Sequence, residues 1–200
     1  MIYIYGSGGR SRLIKEILLR LKKKNKNIIF IDDLNKNCKS SKYLIKNFKN
    51  SKDQLFIGIS DPKIQKFKYD FFKKKLKNID NKPLIDPTVI LKSDVKIREN
   101  VIILENSTIG PNVNISKNVF VGSNTIINHD CSISSFSTIG HGSNLAGNVI
   151  VKENCTIGIS STIKQNIKIE SNVLIGSASN VTKNCHTKLK YYGNPAKKIQ

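Results

Sequence analysis

Hydrophobic residues follow one spacing in residues 1–82 and a different spacing in residues 83–200. In the first part, short apolar runs alternate with stretches whose apolar residues lie three or four positions apart, as on one face of a helix. This pattern predicts three strands, each followed by a helix. The strands are at 2–5, 28–31 and 55–59, and the helices are around 13–21, 40–50 and 62–76. Alternating strands and helices predict a small parallel sheet flanked by helices, which is a Rossmann-like α/β arrangement.

In residues 83–200 the period is six. Every sixth residue from Ile85 to Val181 is Ile, Leu or Val without a gap, and the position two residues earlier is held to Val, Ser, Thr, Cys or Ile from Val89 to Cys185. Neither a helical period nor a heptad fits this run. A six-residue repeat predicts flat edges, three of which close an 18-residue triangular coil that stacks on its neighbours as a parallel β-helix.

The turns between these edges are rich in Gly and Asn, which tolerate the positive φ that tight corners need. We expect this role for Gly110, Gly122, Asn124, Gly140, Gly142, Gly147, Gly158 and Gly176. Three of the four cysteines, Cys131, Cys155 and Cys185, occupy equivalent repeat positions and are predicted to be reduced core residues.

The formal net charge is +20, and 22 of the 34 Lys and Arg residues lie in residues 1–84. No aromatic residues are interleaved with the basic ones in a nucleic-acid-binding motif, so we interpret the lysines as solvated helix faces and predict no nucleic-acid partner. No apolar stretch approaches the roughly 20 residues of a membrane span. The first residues have a buried-strand pattern rather than that of a signal peptide, and a cytoplasmic protein is expected.

Three histidines could supply general-base chemistry, since imidazole has a pKa near neutrality. His186 follows the last regular repeat and is expected at the surface, while His141 sits in a turn after Gly140 and is expected at a solvated corner. His129 also lies at a predicted corner, and from the residues alone it differs mainly by its neighbour Asp130, a carboxylate that would stabilise imidazolium. Gly147 comes three hexads after His129, so the period places it one coil above.

In the first part, a loop at 6–9 with three glycines follows a strand and opens a helix, where backbone N–H groups can bind phosphate. The spacing departs from G-x-G-x-x-G because position 11 is Ser, and a plain strand–helix turn remains an equal alternative. Asp32 and Asp33 end the second strand, where a carboxylate commonly contacts ribose or base.

The chain also resembles a known family. Residues 192–197, YGNPAK, are similar to the G-x-P-A-K ending of hexapeptide-repeat acyltransferases, and the segments YGSGGRS, FIDDL, IGISDPKIQKF and INHDC extend the likeness over the whole chain. It resembles the sialic-acid O-acetyltransferase and nucleotide-amino-sugar N-acetyltransferase family, which includes bacterial UDP-4-amino-sugar acetyltransferases. The resemblance implies a nucleotide-sugar domain at 1–82, a left-handed β-helix acetyltransferase domain at 83–200, and a homotrimer.

The resemblance further implies roles for particular residues. His129 would be the general base, Asp130 its carboxylate partner and Gly147 an oxyanion donor. Relatives often carry a second histidine nine residues after the first, which contacts acetyl-CoA, and here that position is Thr138. Acetyl-CoA would otherwise meet Ile159, Gly176, Ser177 and Lys197. A nucleotide sugar would be lined by Gly8, Gly9, Arg10, Asp32, Asp33 and Gly58; relatives often have His where Arg10 stands, and Arg10 could pair with the diphosphate.

These observations predict an enzyme that transfers acetyl from acetyl-CoA to the amino group of a UDP-linked 4-amino-dideoxy sugar, without a metal. The alternative enzyme is an O-acetyltransferase for sialic acid or a related sugar. A γ-type carbonic anhydrase shares the β-helix, but the three histidines lack the spacing of its metal site. A basic scaffold or nucleic-acid-binding module is the non-enzymatic alternative.

Overall fold

The computed structural model describes residues 1–21, 27–49 and 53–199. The chain divides into two compact units, Met1–Lys82 and Pro83–Gln200. None of the helices within the described ranges has the length and apolar character needed to cross a bilayer.

The first unit is a three-stranded parallel sheet with three helices. Its elements are β1 (Ile2–Tyr5), α1 (Gly9–Arg20), β2 (Ile28–Ile31), α2 (Ser41–Asn47), β3 (Gln54–Ile57) and α3 (Pro62–Lys75). The strand order is β2-β1-β3, and Tyr5 is in register with both Ile31 and Ile57. The loops that follow the three strands therefore begin at one edge of the sheet.

Local sequence explains most of these boundaries. Asp61 caps α3, because its carboxylate accepts the N–H groups of Lys63 and Ile64 at 2.9 Å each. Ser40 caps α2 in the same way through the Tyr43 N–H. The predicted helix at 40–50 is shorter than expected, since it ends at Asn47; residue 50 lies outside the described residues.

The predicted strand at 55–59 is also displaced, to 54–57. Gly58 and Ile59 leave the sheet because Gly58 lies directly against Ser11 of α1: a Cβ on Gly58 would overlap the Ser11 side chain, and the Ser11 hydroxyl donates to the Gly58 carbonyl at 3.2 Å. Only glycine permits this contact between helix and strand end.

The second unit is a parallel β-helix, and the predicted fold class is confirmed. Its strands β4–β20 are each two residues long and recur at every sixth position: Leu84–Ile85, Ile90–Leu91, Lys96–Ile97, Ile102–Ile103, Thr108–Ile109, Asn114–Ile115, Phe120–Val121, Ile126–Ile127, Ser132–Ile133, Thr138–Ile139, Asn144–Leu145, Ile150–Val151, Thr156–Ile157, Thr162–Ile163, Lys168–Ile169, Leu174–Ile175 and Asn180–Val181. They form three parallel sheets in which each strand pairs with the third strand after it, as Val121 of β10 does with Ile139 of β13.

The second residue of each strand points into the coil. These aliphatic side chains are almost fully buried from Ile103 to Val181, whereas Leu91 in the first coil is 43% exposed because no coil precedes it. Cys131, Cys155 and Cys185 are buried and carry free thiols, as the repeat predicts. Burial raises the pKa of the Cys131 thiol to about 11, so it stays protonated at neutral pH.

The corner glycines differ from expectation. Positive φ occurs at every sixth residue from Asp94 to Ala178, a position held mostly by Asn; of the residues predicted for this role, only Asn124 and Gly142 adopt it. The prediction is wrong for the other six. Four of them, Gly110, Gly122, Gly140 and Gly158, instead allow close stacking, because a Cβ there would overlap the backbone of the next coil. Gly147 and Gly176 make room for aromatic rings, those of His129 and Tyr192.

The last coil is shorter than the others. Ile157 pairs with Ile175 at the full period, but Ile175 pairs with Tyr191, and the ring of Tyr191 is buried at the end of the core. β21 (Lys190–Tyr192) then pairs in antiparallel fashion with β22 (Lys197–Ile199). This hairpin ends the parallel stack.

Candidate active site

His129 and Asp130 lie at the corner that follows β11. The imidazole Nδ1 and the Asp130 Oδ2 are 2.7 Å apart, and the Asn112 side-chain amide donates to the other Asp130 oxygen at 3.2 Å. The hydrogen bond with His129, assisted by the one from Asn112, holds the pKa of Asp130 below its usual range. The carboxylate is thus ionised at neutral pH, and an Asp at this corner is long enough to reach Nδ1.

The contact with Asp130 fixes the histidine tautomer. A carboxylate accepts a hydrogen bond from a nitrogen that carries a proton. Nδ1 therefore carries the hydrogen, and Nε2 is left as the acceptor. The side chain of His129 is 56% exposed, so Nε2 can be reached from outside the coil. A fixed, accessible Nε2 is what a general base requires.

Gly147 lies one coil above, and the imidazole packs against it. A Cβ at this position would overlap Cε1 and Nε2 of His129, so any larger residue would displace the ring. Within the described part of the chain, the Gly147 N–H forms no hydrogen bond. An unpaired backbone donor therefore stands beside the candidate base.

A second corner carries His141, between β13 and β14. The ring is half-buried rather than fully solvated: Nδ1 accepts the Ser123 N–H at 3.0 Å and lies 3.0 Å from the Ser123 hydroxyl, and the ring packs edge-on to Phe120. No function is predicted for this histidine from the sequence. The 18-residue period could have placed it above Ser123, but it does not give the direction of the ring.

The predicted acetyl-CoA contacts are only partly brought together. Ser123, His141, Ile159 and Ser177 follow each other at 18-residue intervals and form one column, hereafter the His141 column. Ile159 is 52% exposed and Ser177 is exposed, with Gly176 beside it under the Tyr192 ring. Thr138 lies outside the column, on the outer face of β13, and is 8% exposed, while Lys197 is exposed at the start of β22.

In the first unit, the predicted nucleotide-sugar residues gather at the edge where the strands end. Ser7 donates to Asp32 at 2.6 Å, and this hydrogen bond lowers the pKa of Asp32. Asp33 accepts the N–H and hydroxyl of Ser41 at 2.7 and 2.6 Å and the Tyr5 hydroxyl at 3.1 Å. Tyr5 and Ser7 were not predicted; both follow from their place at the end of β1.

Gly8, Gly9 and Arg10 open α1 at the same edge. A Cβ on either glycine would meet no atom within 4 Å, and the Gly8 N-cap provides no side-chain hydrogen bond, so space remains around the first N–H groups of the helix. Arg10 is different: it is buried, its guanidinium donates to the Ile59 carbonyl at 2.9 Å, and burial lowers its pKa to about 10. Gly58 serves packing against Ser11, as described above.

Residues 1–70 match the family model of the PglD N-terminal domain. A comparison of the sequence with curated proteins gives no match. Solved structures give matches over the whole chain.

The acetyltransferase domain of PglB from Neisseria gonorrhoeae, solved with acetyl coenzyme A, is 19% identical with a TM-score of 0.90, and the match covers 99% of this chain and 98% of that chain. The chain has the fold of a hexapeptide-repeat sugar acetyltransferase. PerB from Caulobacter crescentus, solved with CoA and GDP-perosamine, shares this acetyltransferase fold at 18% identity and a TM-score of 0.89, covering 100% and 97% of the two chains. WeeI from Acinetobacter baumannii AYE matches at 18% identity and a TM-score of 0.80, covering 100% and 99%.

These matches confirm the family resemblance that the sequence indicates. A group of three or more His, Cys, Asp or Glu side chains that could hold a metal ion is not found among the described residues.

Proposed function

We propose that the protein is an acetyltransferase that moves the acetyl group of acetyl-CoA to the amino group of a nucleotide-linked sugar. The observation that carries this proposal is the arrangement of His129, Asp130 and Gly147: an ionised carboxylate at Nδ1, an accessible Nε2, and a backbone N–H one coil above that has no partner among the described residues. Support for the substrate class comes from PerB, which was solved with CoA and GDP-perosamine.

The chemistry follows from these three groups. As the sugar amine attacks the thioester carbonyl, a new C–N bond forms and the nitrogen loses a proton to Nε2 of His129. Asp130 stabilises the imidazolium that results. The carbonyl oxygen gains negative charge, which the Gly147 N–H can stabilise by a hydrogen bond. The C–S bond then breaks. The CoA thiolate takes the proton back from His129 and leaves as the free thiol.

The remaining assignments belong to the same proposal. Acetyl-CoA would contact Ile159, Gly176, Ser177, Thr138 and Lys197, the last as a cation for a phosphate. The nucleotide sugar would be bound through Gly8, Gly9, Asp32, Asp33 and Gly58. Arg10 would support this site indirectly, by its hydrogen bond to the Ile59 carbonyl next to Gly58. We take the acceptor to be a UDP-linked 4-amino-dideoxy sugar, the protein to be cytoplasmic, and the active assembly to be a homotrimer.

The proposal is tested by release of free CoA from acetyl-CoA with UDP- and GDP-linked 4-amino sugars and with sialic acid as acceptors. We expect turnover with a UDP-linked amino sugar, and a loss of kcat of about 10²–10⁴-fold in His129→Ala with little change in KM. His186→Ala is the matched control, because His186 is exposed and lies away from this corner.

Undiminished turnover in His129→Ala would remove His129 from its role. Turnover with sialic acid alone would favour O-acetylation, and turnover with GDP-linked sugars alone would overturn the choice of UDP.

A further inference from the structure

His141 has a fixed orientation that the proposed base does not require. Its Nδ1 is occupied by the Ser123 N–H at 3.0 Å, and an N–H donor needs an unprotonated acceptor. The hydrogen of the neutral ring must therefore be on Nε2. In the described part of the chain that Nε2 forms no hydrogen bond, so the half-buried ring holds one unpaired donor in place.

The surroundings of this donor are mixed. Ile159, one coil above, is 52% exposed and apolar, and its N–H, like that of Ser177 one coil further, has no partner among the described residues. Gly140 and Gly158 let these coils stack closely, because a Cβ on either would overlap the backbone N of Ile159 or Ser177. The His141 column thus offers N–H donors at 18-residue intervals along an exposed corner, with an apolar side chain between them.

A ligand that fits this column is an extended chain in which methylene groups alternate with carbonyl groups. The pantetheine arm of CoA has this chemistry. A phosphate fits less well, since Nδ1 of His141 is occupied by the Ser123 N–H, which leaves one outward donor, and no Lys or Arg occupies the column. His141 also follows His129 by only two hexads and so lies in nearly the same coil, which places it level with the acyl end of the arm rather than the nucleotide end.

We propose that His141 donates a hydrogen bond from Nε2 to a carbonyl oxygen of the pantetheine arm of the acyl-CoA, taking over the cofactor contact for which Thr138 has no imidazole. The inference rests on the proposed acetyl-CoA dependence. His141 and His129 lie two hexads apart and so occupy different corners of the triangle.

Calorimetry with two probes tests this contact without depending on turnover. The probes are CoA and 3′,5′-ADP, which has the nucleotide end of CoA but no pantetheine arm. In His141→Ala we expect the Kd for CoA to rise about 3- to 10-fold, as for loss of one neutral hydrogen bond, and the Kd for 3′,5′-ADP to stay unchanged. His141→Gln, whose amide can both accept from Ser123 and donate outward, should restore CoA binding to within about twofold.

Kinetics supply the second readout. The KM for acetyl-CoA should rise in His141→Ala while kcat stays close to that of wild type, in contrast to the fall in kcat expected for His129→Ala. Equal CoA affinity in wild type and His141→Ala overturns the proposal, and so does an equal loss for CoA and 3′,5′-ADP. If the folded wild-type protein does not bind CoA at all, the proposed function itself is wrong. This outcome distinguishes a failure of the proposed function from a failure of the His141 contact alone.

Discussion

At the scale of single residues, the corners of the β-helix separate two uses of small or flexible side chains. Asn is used where φ must be positive, at every sixth residue, while Gly is used where two coils approach too closely for a Cβ. Sequence alone showed that the corners contain Gly and Asn, but it assigned both to the same cause. The distinction depends on packing between residues of successive coils, which composition does not reveal.

Ala178 shows what a mismatch at these positions should cost. It has φ of 55° and is exposed, so its methyl group is strained and is not buried in the core. We expect Ala178→Gly to raise the free energy of unfolding by about 0.5–1 kcal/mol, because glycine adopts this conformation without the Cβ clash. Urea denaturation measures the change.

The matched control is Gly142→Ala, at φ of 65°, which should lower stability by a similar amount. A lower unfolding midpoint for Ala178→Gly would contradict this account of the corners.

At the scale of elements, one of the three corner columns is joined by side-chain hydroxyls. Ser107, Thr125, Ser143 and Ser161, one from each successive coil, each donate to the carbonyl of a glycine at the same corner of the following coil, at 2.8, 3.1, 2.9 and 2.9 Å. The equivalent position on the other corners holds mainly Val, Cys or Ile. The hexad showed that small residues are required here, whereas the 18-residue period shows which corner is polar.

Thr125→Val tests the contribution of this column, because valine keeps the shape of threonine and removes the hydroxyl. Thr125 is fully buried, and the Gly140 carbonyl would lose this donor. We expect the free energy of unfolding to fall by about 1–2 kcal/mol. Thr162→Val is the control, since Thr162 is exposed on the outer face of β17 and should change stability by less than about 0.5 kcal/mol. Equal effects of the two substitutions would show that the hydroxyl column does not stabilise the coil.

The carboxylate edge of the first unit should respond to acid. The folded-state pKa of Asp32 is lowered, first by the Ser7 hydroxyl and also by backbone N–H groups, so its ionised form stabilises the fold. That contribution is complete above the unfolded pKa of about 4 and is lost as pH falls through the lower folded value. In urea unfolding from pH 7 to 2.5, Asp32→Asn should be less stable than wild type at pH 7 and approach it at the acid end.

Asp70→Asn, an exposed substitution on α3, serves as the comparison and should run parallel to wild type. A constant difference between wild type and Asp32→Asn over the whole pH range would mean that ionisation of Asp32 contributes nothing.

At the scale of the whole molecule, the period of six was enough to predict the β-helix, and the alternation of strands and helices was enough for the first unit. The candidate base was predicted from Asp130 beside His129 and from the family resemblance, and the 18-residue period places Gly147 over it. The orientation of His141 and the inward turn of Arg10 were not found, since both depend on which main-chain group each side chain meets. The family resemblance did not supply them either, because relatives often have His where Arg10 stands and their second histidine falls at Thr138 rather than at His141.

The proposed homotrimer predicts a mass in solution of about three times 22.4 kDa. Light scattering coupled to size exclusion measures it, at moderate salt so that the net charge of +20 does not distort elution. A monomer at micromolar concentration would exclude an active site shared between copies, while leaving the roles of His129 and Asp130 within one chain to be tested separately.

The regular stacking of the coils also fixes distances along the molecule. Each added turn of three hexads lengthens the stack by one strand spacing, about 4.8 Å, without altering the corner at which any side chain emerges. The distance along the coil axis between the imidazole of His129 and the closing hairpin at Tyr192 therefore changes in steps of one whole turn. A gene that gains or loses the codons of one whole turn between these points would keep every side chain on its proper edge. It would change the distance between His129 and the hairpin by one strand spacing.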